Sequence, residues 1–474
     1  MAHSGGVLEA WTCHCGQANL GPGSCSSCLN AAPAVLRGAG EATPPPPTRR
    51  VMLVLGVVTA VLLIAGLLSA AAVGTDDGST VAGGASSDVT TPPDEAEVGP
   101  PATEGGATEG GATEGGDGTV SVSPDQRPGP EASEVERLLP ELMRFVQDKR
   151  GLAFKVPVEV TLLADEAFRA RLKGEEEEDS AEAKKELLTT QRVLEGLGLL
   201  EKGIDLEKAV ETLYGDAVAG FYDTEADDLV VRGEKLTPSV RTTLVHELVH
   251  ALQDQHFDID RKDLDDRDDE ASQGLTGLVE GDAVRIEELY LESLSNREQK
   301  QAEKEEAEAG GGIDPDIPRV LLQLVAFPYI VGPDFTRAVV RGGGQTRLDQ
   351  AFGEPPSTSE HLLHPETFIG GQLLVPVENP KPDGEEIDAG VLGELGLLLV
   401  LNASGTDGRS AAEGWGGDRY VAWRDGKNTC VRTTIAMDSL QDDAELRRAL
   451  DEIARDRKGF RVEGKGPVTF TSCG

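Results

Sequence analysis

The pentapeptide His-Glu-Leu-Val-His constrains the fold of this 474-residue chain more than any other feature. Positions four apart lie one turn above each other on the same face of an α-helix. If the segment is helical, His246 and His250 can therefore bind one zinc ion between them. Glu247 then reaches a water molecule at that ion and can act as a general base.

Local signals predict that the segment is indeed a helix. Thr237 can cap its N-terminus, and Pro238 suits the first helical position. Apolar residues at helical spacing can bury it; these are Leu244, Val245, Leu248, Val249 and Leu252.

An uncharged run, Val51–Gly74, is long enough to cross a hydrocarbon core of about 30 Å. Arg49 and Arg50 precede it and acidic residues follow it. The positive-inside rule then predicts a cytoplasmic N-terminus and an extracytoplasmic remainder. A cleaved signal peptide is the alternative, but the stretch 1–50 is too long for its n-region. We therefore expect a single-pass protein of the plasma membrane, with residues 51–74 as the transmembrane helix.

The cysteines divide across this run. Four precede it, namely Cys13, Cys15, Cys25 and Cys28. Cys430 and Cys473 follow it, where an oxidising compartment predicts a disulfide between them. The segment 1–36 resembles a small zinc ribbon, although C-x-C replaces C-x-x-C at the first knuckle. The resemblance implies a structural zinc ion bound by the four thiolates; the alternative is a disordered tail that carries thiols.

Composition sets the remaining boundaries. Residues 75–130 repeat Ala-Thr-Glu-Gly-Gly between Gly, Pro and Ser residues, which predicts a disordered linker. Residues 131–370 and 371–474 are predicted to be folded. The formal net charge of −40 excludes nucleic acid as a partner, because it repels phosphate.

Hydrophobic periodicity predicts an α+β fold for residues 131–474. In addition to the pentapeptide helix, helices are predicted at 134–150, 181–197, 206–214 and 391–401, around 280–290 and after Ser439. Strands are predicted at 156–163, 218–222, 229–231, 372–377, 430–437 and 468–471. Solvated insertions are predicted at 258–270 and 296–310.

A catalytic zinc ion needs a third protein ligand, and the sequence offers two. His256 has the spacing of H-E-x-x-H-x-x-G-x-x-H, but Gln253 stands where that pattern requires Gly. Without a helix break, six residues turn the chain by about 600° and leave His256 about 120° off the face of His250. Glu280, on a second amphipathic helix, can complete a His₂Glu site, so we favour Glu280. Asp282 is a candidate partner for one imidazole.

The chain resembles the zincin superfamily of metallopeptidases. Three segments resemble a group of bacterial membrane-anchored, gluzincin-like proteins: Gly220–Asp223, His246–Phe257 and Glu280–Ala283. The resemblance implies a mixed sheet plus an active-site helix, and an edge strand, at 218–222 or 229–231, that holds a peptide. It also implies a downstream His or Tyr at the oxyanion. For that role we favour His364 over His361.

The sequence therefore predicts a membrane-anchored, extracytoplasmic zinc metallopeptidase that acts on a peptide or protein. One alternative is an inactive zincin-fold binding module of the cell envelope, which would use an exposed aromatic cluster around Trp415, Tyr420 and Trp423. The other is a zinc amidase for a cell-wall amide. Burial of that cluster in the C-terminal core is the simpler expectation for its aromatic residues.

Overall fold

The computed structural model describes most of the chain from residue 119 onward and three short strands before it. From 119 to 474 the gaps in this description are 128, 130–131, 177–180, 262–263, 265–268, 311–313, 406–407 and 464–465. The fold is α+β, with a mixed sheet, an antiparallel sheet and helices packed on both.

The helices are α1 (Glu134–Arg150), α2 (Asp165–Glu176), α3 (Ala181–Leu197), α4 (Leu206–Ala217), α5 (Pro238–Phe257), α6 (Asp269–Ser293), α7 (Asn296–Gly310), α8 (Arg319–Gly353), α9 (Ser359–Leu363), α10 (Pro365–Gly370), α11 (Gly393–Ala403), α12 (Arg409–Ala412) and α13 (Leu440–Asp456). The strands are β1 (Ala10–Thr12), β2 (Ala18–Leu20), β3 (Val58–Leu62), β4 (Val120–Val122), β5 (Val158–Leu163), β6 (Val218–Asp223), β7 (Asp228–Arg232), β8 (Glu385–Gly390), β9 (Trp415–Asp425), β10 (Asn428–Met437), β11 (Phe460–Glu463) and β12 (Val468–Cys473).

The first sheet supports the pentapeptide helix. Its strand order is β3-β6-β7-β5-β4, and only β5 and β7 are parallel. A tight turn joins β6 to β7, in which the Asp223 carboxylate accepts from the backbone of Glu225 and Ala226. Helix α5 packs on this sheet through fully buried Leu and Val residues, so its remaining faces are available to α1, α6 and α7.

Glycine allows α6 and α8 to approach unusually closely. A Cβ atom at Gly281 would overlap the backbone of Gly332, and one at Gly332 would overlap the carbonyl of Gly277. Any larger side chain would therefore push the two helices apart. This contact places Tyr329, one turn before Gly332, next to Glu280.

The second sheet is antiparallel, with the order β11-β12-β10-β9-β8. Cys430 and Cys473 lie directly opposite each other on β10 and β12 and form a disulfide. Helix α3 ties this sheet to the rest of the molecule, because Ser472 Oγ donates to the Gly196 carbonyl at 2.6 Å.

The prediction of a single-pass membrane protein is wrong. Among the residues that the structure describes, no helix has the length and apolar character needed to cross a bilayer. Within the predicted span 51–74, Val58–Leu62 is instead a strand, paired antiparallel with β6. Val58, Thr59 and Val61 are β-branched and favour strands. The prediction of a helix considered only the length of the run and its lack of charge. The rest of the span lies outside the described residues, as do the four N-terminal cysteines.

Three local predictions also need correction. The predicted linker 75–130 contains β4, which pairs with β5 near its end. Residues 372–377 do not form a strand; only Val375 makes a backbone hydrogen bond to a strand residue, Gly416. The charged run 296–310 is helix α7, which packs on α5 and buries Ala302 completely. Its many Glu and Lys residues had suggested a solvated insertion.

The packing around α9 predicts how stability depends on pH. Burial, together with the nearby carboxylates of Asp438 and Glu394, raises the pKa of Glu360 to about 7. The unfolded value is about 4.3, so the stability that depends on neutral Glu360 is complete below that pH and is lost as the pH rises through 7. We expect Glu360→Gln to increase the free energy of unfolding at pH 8 by roughly 1–2 kcal/mol, and by far less at pH 4.5. The melting temperature should rise accordingly at pH 8.

Glu366→Gln is the control, because Glu366 is 78% exposed and the same charge is removed. Thermal unfolding of all three proteins at both pH values measures the effect. An equal gain from Glu360→Gln at pH 4.5 and pH 8 would contradict the prediction.

Candidate metal centre

Helix α5 carries the pentapeptide in the form that the sequence predicted. Thr237 accepts a hydrogen bond from the backbone of Val240, and Pro238 occupies the first turn. His246, Glu247 and His250 each have 0% exposure. Two imidazoles and a carboxylate are costly to bury unless partners compensate for the lost hydration.

The compensating group is Glu280 of α6. Its Oε2 lies 3.1 Å from His246 Nε2 and 3.4 Å from His250 Nε2, and its side chain is 2% exposed. Two ligand atoms on one tetrahedral zinc ion, each about 2.0–2.1 Å from it, lie roughly 3.4 Å apart. Glu280 Oε2 therefore lies at this spacing from both imidazoles, and all three ligand atoms lie within 4.8 Å of one another.

The remaining polar atoms also fit a cation. His250 Nε2 is buried and makes no well-formed hydrogen bond to the described residues. A bound cation would satisfy it. Two imidazole nitrogens and a carboxylate oxygen form a ligand set that can hold a divalent ion such as zinc.

Each imidazole also has a hydrogen-bond partner at Nδ1, on the side away from Glu280. His246 Nδ1 lies 2.8 Å from Glu287 Oε2, seven residues after Glu280. His250 Nδ1 lies 3.0 Å from Gln253 Oε1. Acceptors at both Nδ1 atoms favour the tautomer in which Nε2 carries the lone pair, as a metal ligand requires.

The charges of the cluster call for a positive ion. Burial opposes ionisation of Glu280, but the neighbouring imidazoles of His250 and His246 lower its pKa to about 2. Burial likewise opposes protonation of His246, yet Glu280 and Glu287 raise its pKa to about 10. A proton on His246 Nε2, toward Glu280, thus supplies positive charge where a bound metal ion would supply it.

Tyr329 of α8 is a site residue that the sequence analysis missed. Its hydroxyl hydrogen-bonds to Glu280, and its ring stacks on His246 with a centroid distance of 6.4 Å. Burial and the Glu280 carboxylate raise the pKa of Tyr329 well above its usual value, so the group remains a proton donor. It lies in an apolar run between Pro328 and Pro333, where no motif marks it.

The other predicted histidines lie elsewhere. His256 projects from α5 and donates from Nε2 to the Ala153 carbonyl at 2.8 Å. His364 Nε2 lies 3.0 Å from Glu394 Oε1, in a contact between α10 and α11. The buried His361 accepts at Nδ1 from the backbone of Ser357. Among the described residues, the metal-binding group comprises only His246, His250 and Glu280.

Asp282 contacts Gln253 rather than an imidazole, which differs from the sequence prediction. Its carboxylate does not contact an imidazole; it accepts from Gln253 Nε2 at 3.3 Å and from Arg150 Nε at 2.6 Å. Asp282 therefore supports His250 through Gln253.

The aromatic cluster does not form an exposed surface. Trp415, Tyr420 and Trp423 are 1%, 5% and 3% exposed and pack in the second sheet. Trp415 Nε1 donates to the buried carboxylate of Asp418 at 3.0 Å. The observation that favoured a binding module is thus absent, as the simpler expectation held.

Comparison with known proteins reaches only the C-terminal region. Residues 380–472 match the family model described as "Domain of unknown function (DUF8575)". This match spans nearly all of the second sheet but none of the metal-binding group. No curated protein and no solved structure matches the chain.

Proposed function

We propose that this protein is a zinc-dependent peptidase. The observation that carries the proposal is the convergence of His246 Nε2 and His250 Nε2 on Glu280 Oε2 in a buried cluster, with Glu247 on the same helix. Zinc held by these three residues would supply Lewis-acid polarisation of a substrate carbonyl and activation of water.

The chain's own residues account for the proton transfers. Glu247 accepts a proton as the water oxygen attacks the carbonyl carbon, and it returns that proton to the amine nitrogen as the C–N bond breaks. The Tyr329 hydroxyl, beside Glu280, donates a hydrogen bond to the oxygen on which negative charge develops.

The predicted edge strand is wrong. Strand β6 lies between β3 and β7, and β7 lies between β6 and β5, so neither strand is an edge of the sheet. A peptide would bind to β6 by backbone hydrogen bonds only in the position that β3 occupies.

The disulfide supports an extracytoplasmic location for the activity. Disulfides persist in oxidising compartments, so the bond between Cys430 and Cys473 supports an extracytoplasmic protein.

The direct test is hydrolysis by the purified full chain, loaded with one equivalent of zinc. We expect it to cleave members of a mixed peptide library, to lose activity with a chelator and to regain it with zinc. Mass spectrometry of the products identifies the broken bonds. Hydrolysis of cell-wall amides without any peptide cleavage, or no metal binding at all, would contradict the proposal.

Tyr329→Phe tests the oxyanion role. We expect kcat to fall roughly 10²–10³-fold, because one preorganised donor is lost, while KM and zinc content stay nearly unchanged. Steady-state kinetics on the best library peptide give both constants. Tyr420→Phe is the control, since its hydroxyl contacts Asp388 in the second sheet. Unchanged kcat in Tyr329→Phe would exclude the role.

A further inference from the structure

The two imidazoles of the metal-binding group differ in the group that holds them. The acceptor for His246 is the carboxylate of Glu287. An ionised carboxylate has no donor and accepts in any orientation. The acceptor for His250 is an amide, Gln253, which has a donor end and an acceptor end. The amide serves His250 only if its orientation is fixed.

The surroundings of Gln253 fix that orientation. Its Nε2 lies 3.0 Å from the Val279 carbonyl, which can only accept, and 3.3 Å from Asp282 Oδ2. Asp282 itself receives Arg150 Nε at 2.6 Å and Arg285 NH2 at 2.7 Å, and arginine can only donate. Both groups that Gln253 Nε2 contacts are thus acceptors, so the amide nitrogen faces them and Oε1 faces His250.

The far end of this chain of contacts is equally well packed. Arg150, the last residue of α1, is fully buried and pairs with Asp349 of α8 at 2.6 Å. Its guanidinium lies 5.6 Å from the Phe257 ring centroid and 5.7 Å from that of Phe352. Since Gln253 has 0% exposure, solvent does not compete for its amide.

We propose that Gln253 is a positioning residue of the metal centre. Its oxygen keeps the proton of His250 on Nδ1 and the lone pair of Nε2 directed at the metal, while Asp282 and Arg150 keep the amide from turning over. This inference rests on the proposed metal site and names the residues that hold one of its ligands.

The test measures metal binding by the full chain. Gln253→Leu removes the acceptor, and we expect the zinc affinity, from chelator competition, to weaken roughly 10–100-fold. The visible absorption of the cobalt(II)-substituted protein should change as well, because the ligand field changes. Gln253→Glu keeps an acceptor toward His250 but places its charge against Asp282. We expect it to unfold at a lower temperature yet bind zinc within a few-fold of wild type.

Asp418→Asn is the matched control for lost stability. It alters a buried carboxylate that accepts from Trp415 Nε1 and from the backbone of Leu392 and Gly393, and it should leave affinity and spectrum unchanged. Wild-type affinity in folded Gln253→Leu, or an equal loss in Asp418→Asn, would overturn the positioning role while leaving the proposed function intact. A wild-type chain that binds no metal would overturn both.

Imidazole ¹⁵N shifts of His250 in the zinc-loaded wild type provide a test that needs no variant. We expect Nδ1 to be protonated and Nε2 to be the ligand. Ligation through Nδ1 would overturn the inference even if Gln253→Leu failed to fold.

Discussion

Glu247→Gln is expected to abolish peptide hydrolysis and to leave zinc binding intact. The amide has nearly the volume of the carboxylate and lies on the same turn of α5, so the ligands His246 and His250 keep their positions. An amide cannot accept the proton that water loses on attack. A positioned general base contributes about 10²–10⁴-fold to rate, so kcat should fall at least that far. Zinc content and kcat, measured on the same preparation, separate the two properties.

Glu270→Gln is the matched control for this variant. Glu270 is also a buried glutamate, but its carboxylate accepts from the backbone and the hydroxyl of Ser359 on α9. We expect this control to retain peptidase activity. Full hydrolysis by Glu247→Gln that contains one zinc ion would exclude Glu247 as the base.

The metal-ligand helix was predictable because its determinants are local. The Thr237 cap, Pro238 in the first turn and the apolar spacing all act within twenty residues, and α5 begins and ends accordingly. The same local geometry gave the orientation of His256. A continuous helix turns its side chain away from His250, and it is found on the Ala153 carbonyl.

The long helix α8 was missed because it contradicts local rules. Pro328 and Pro333 lie inside it, and Gly343 and Gly344 interrupt its helical dihedrals. Proline normally ends a helix, so the sequence pattern gave no reason to extend one across this region. The packing of Gly332 against α6 favours the helix here, and no local pattern reveals that packing. Because this helix was not predicted, the role of Tyr329 was not predicted either.

Contacts between distant residues set the limit on the rest of the site. Arg150 and Asp282 are 132 positions apart, and Gln253 and Asp282 are 29 apart. Residue types alone do not show that these side chains meet. Gln253 illustrates this, since in the sequence it was only the residue that broke the glycine pattern. In the structure it is the acceptor for His250.

Glu280→Ala is expected to remove from the full chain the zinc ion held by His246 and His250, but not a zinc ion bound by the four N-terminal cysteines. It leaves two imidazoles as the only protein ligands, and two are too few for a stable tetrahedral site. The affinity should fall by more than the roughly 10–100-fold that follows loss of an outer partner. His256→Ala should retain the zinc ion held by His246 and His250, because the His256 imidazole donates to the Ala153 carbonyl instead. Metal analysis after dialysis and chelator competition measure both variants.

Glu280→Gln separates the ligand from the space that it fills. The amide preserves volume and one weak oxygen donor, so its zinc affinity should lie between those of wild type and Glu280→Ala. Its fold should be intact, because Tyr329 and both imidazoles retain a polar neighbour. The opposite pattern, with zinc lost in His256→Ala and kept in both Glu280 variants, would require α5 to break near Gln253 when metal binds. That result would transfer the third ligand to His256 and would contradict the His₂Glu assignment.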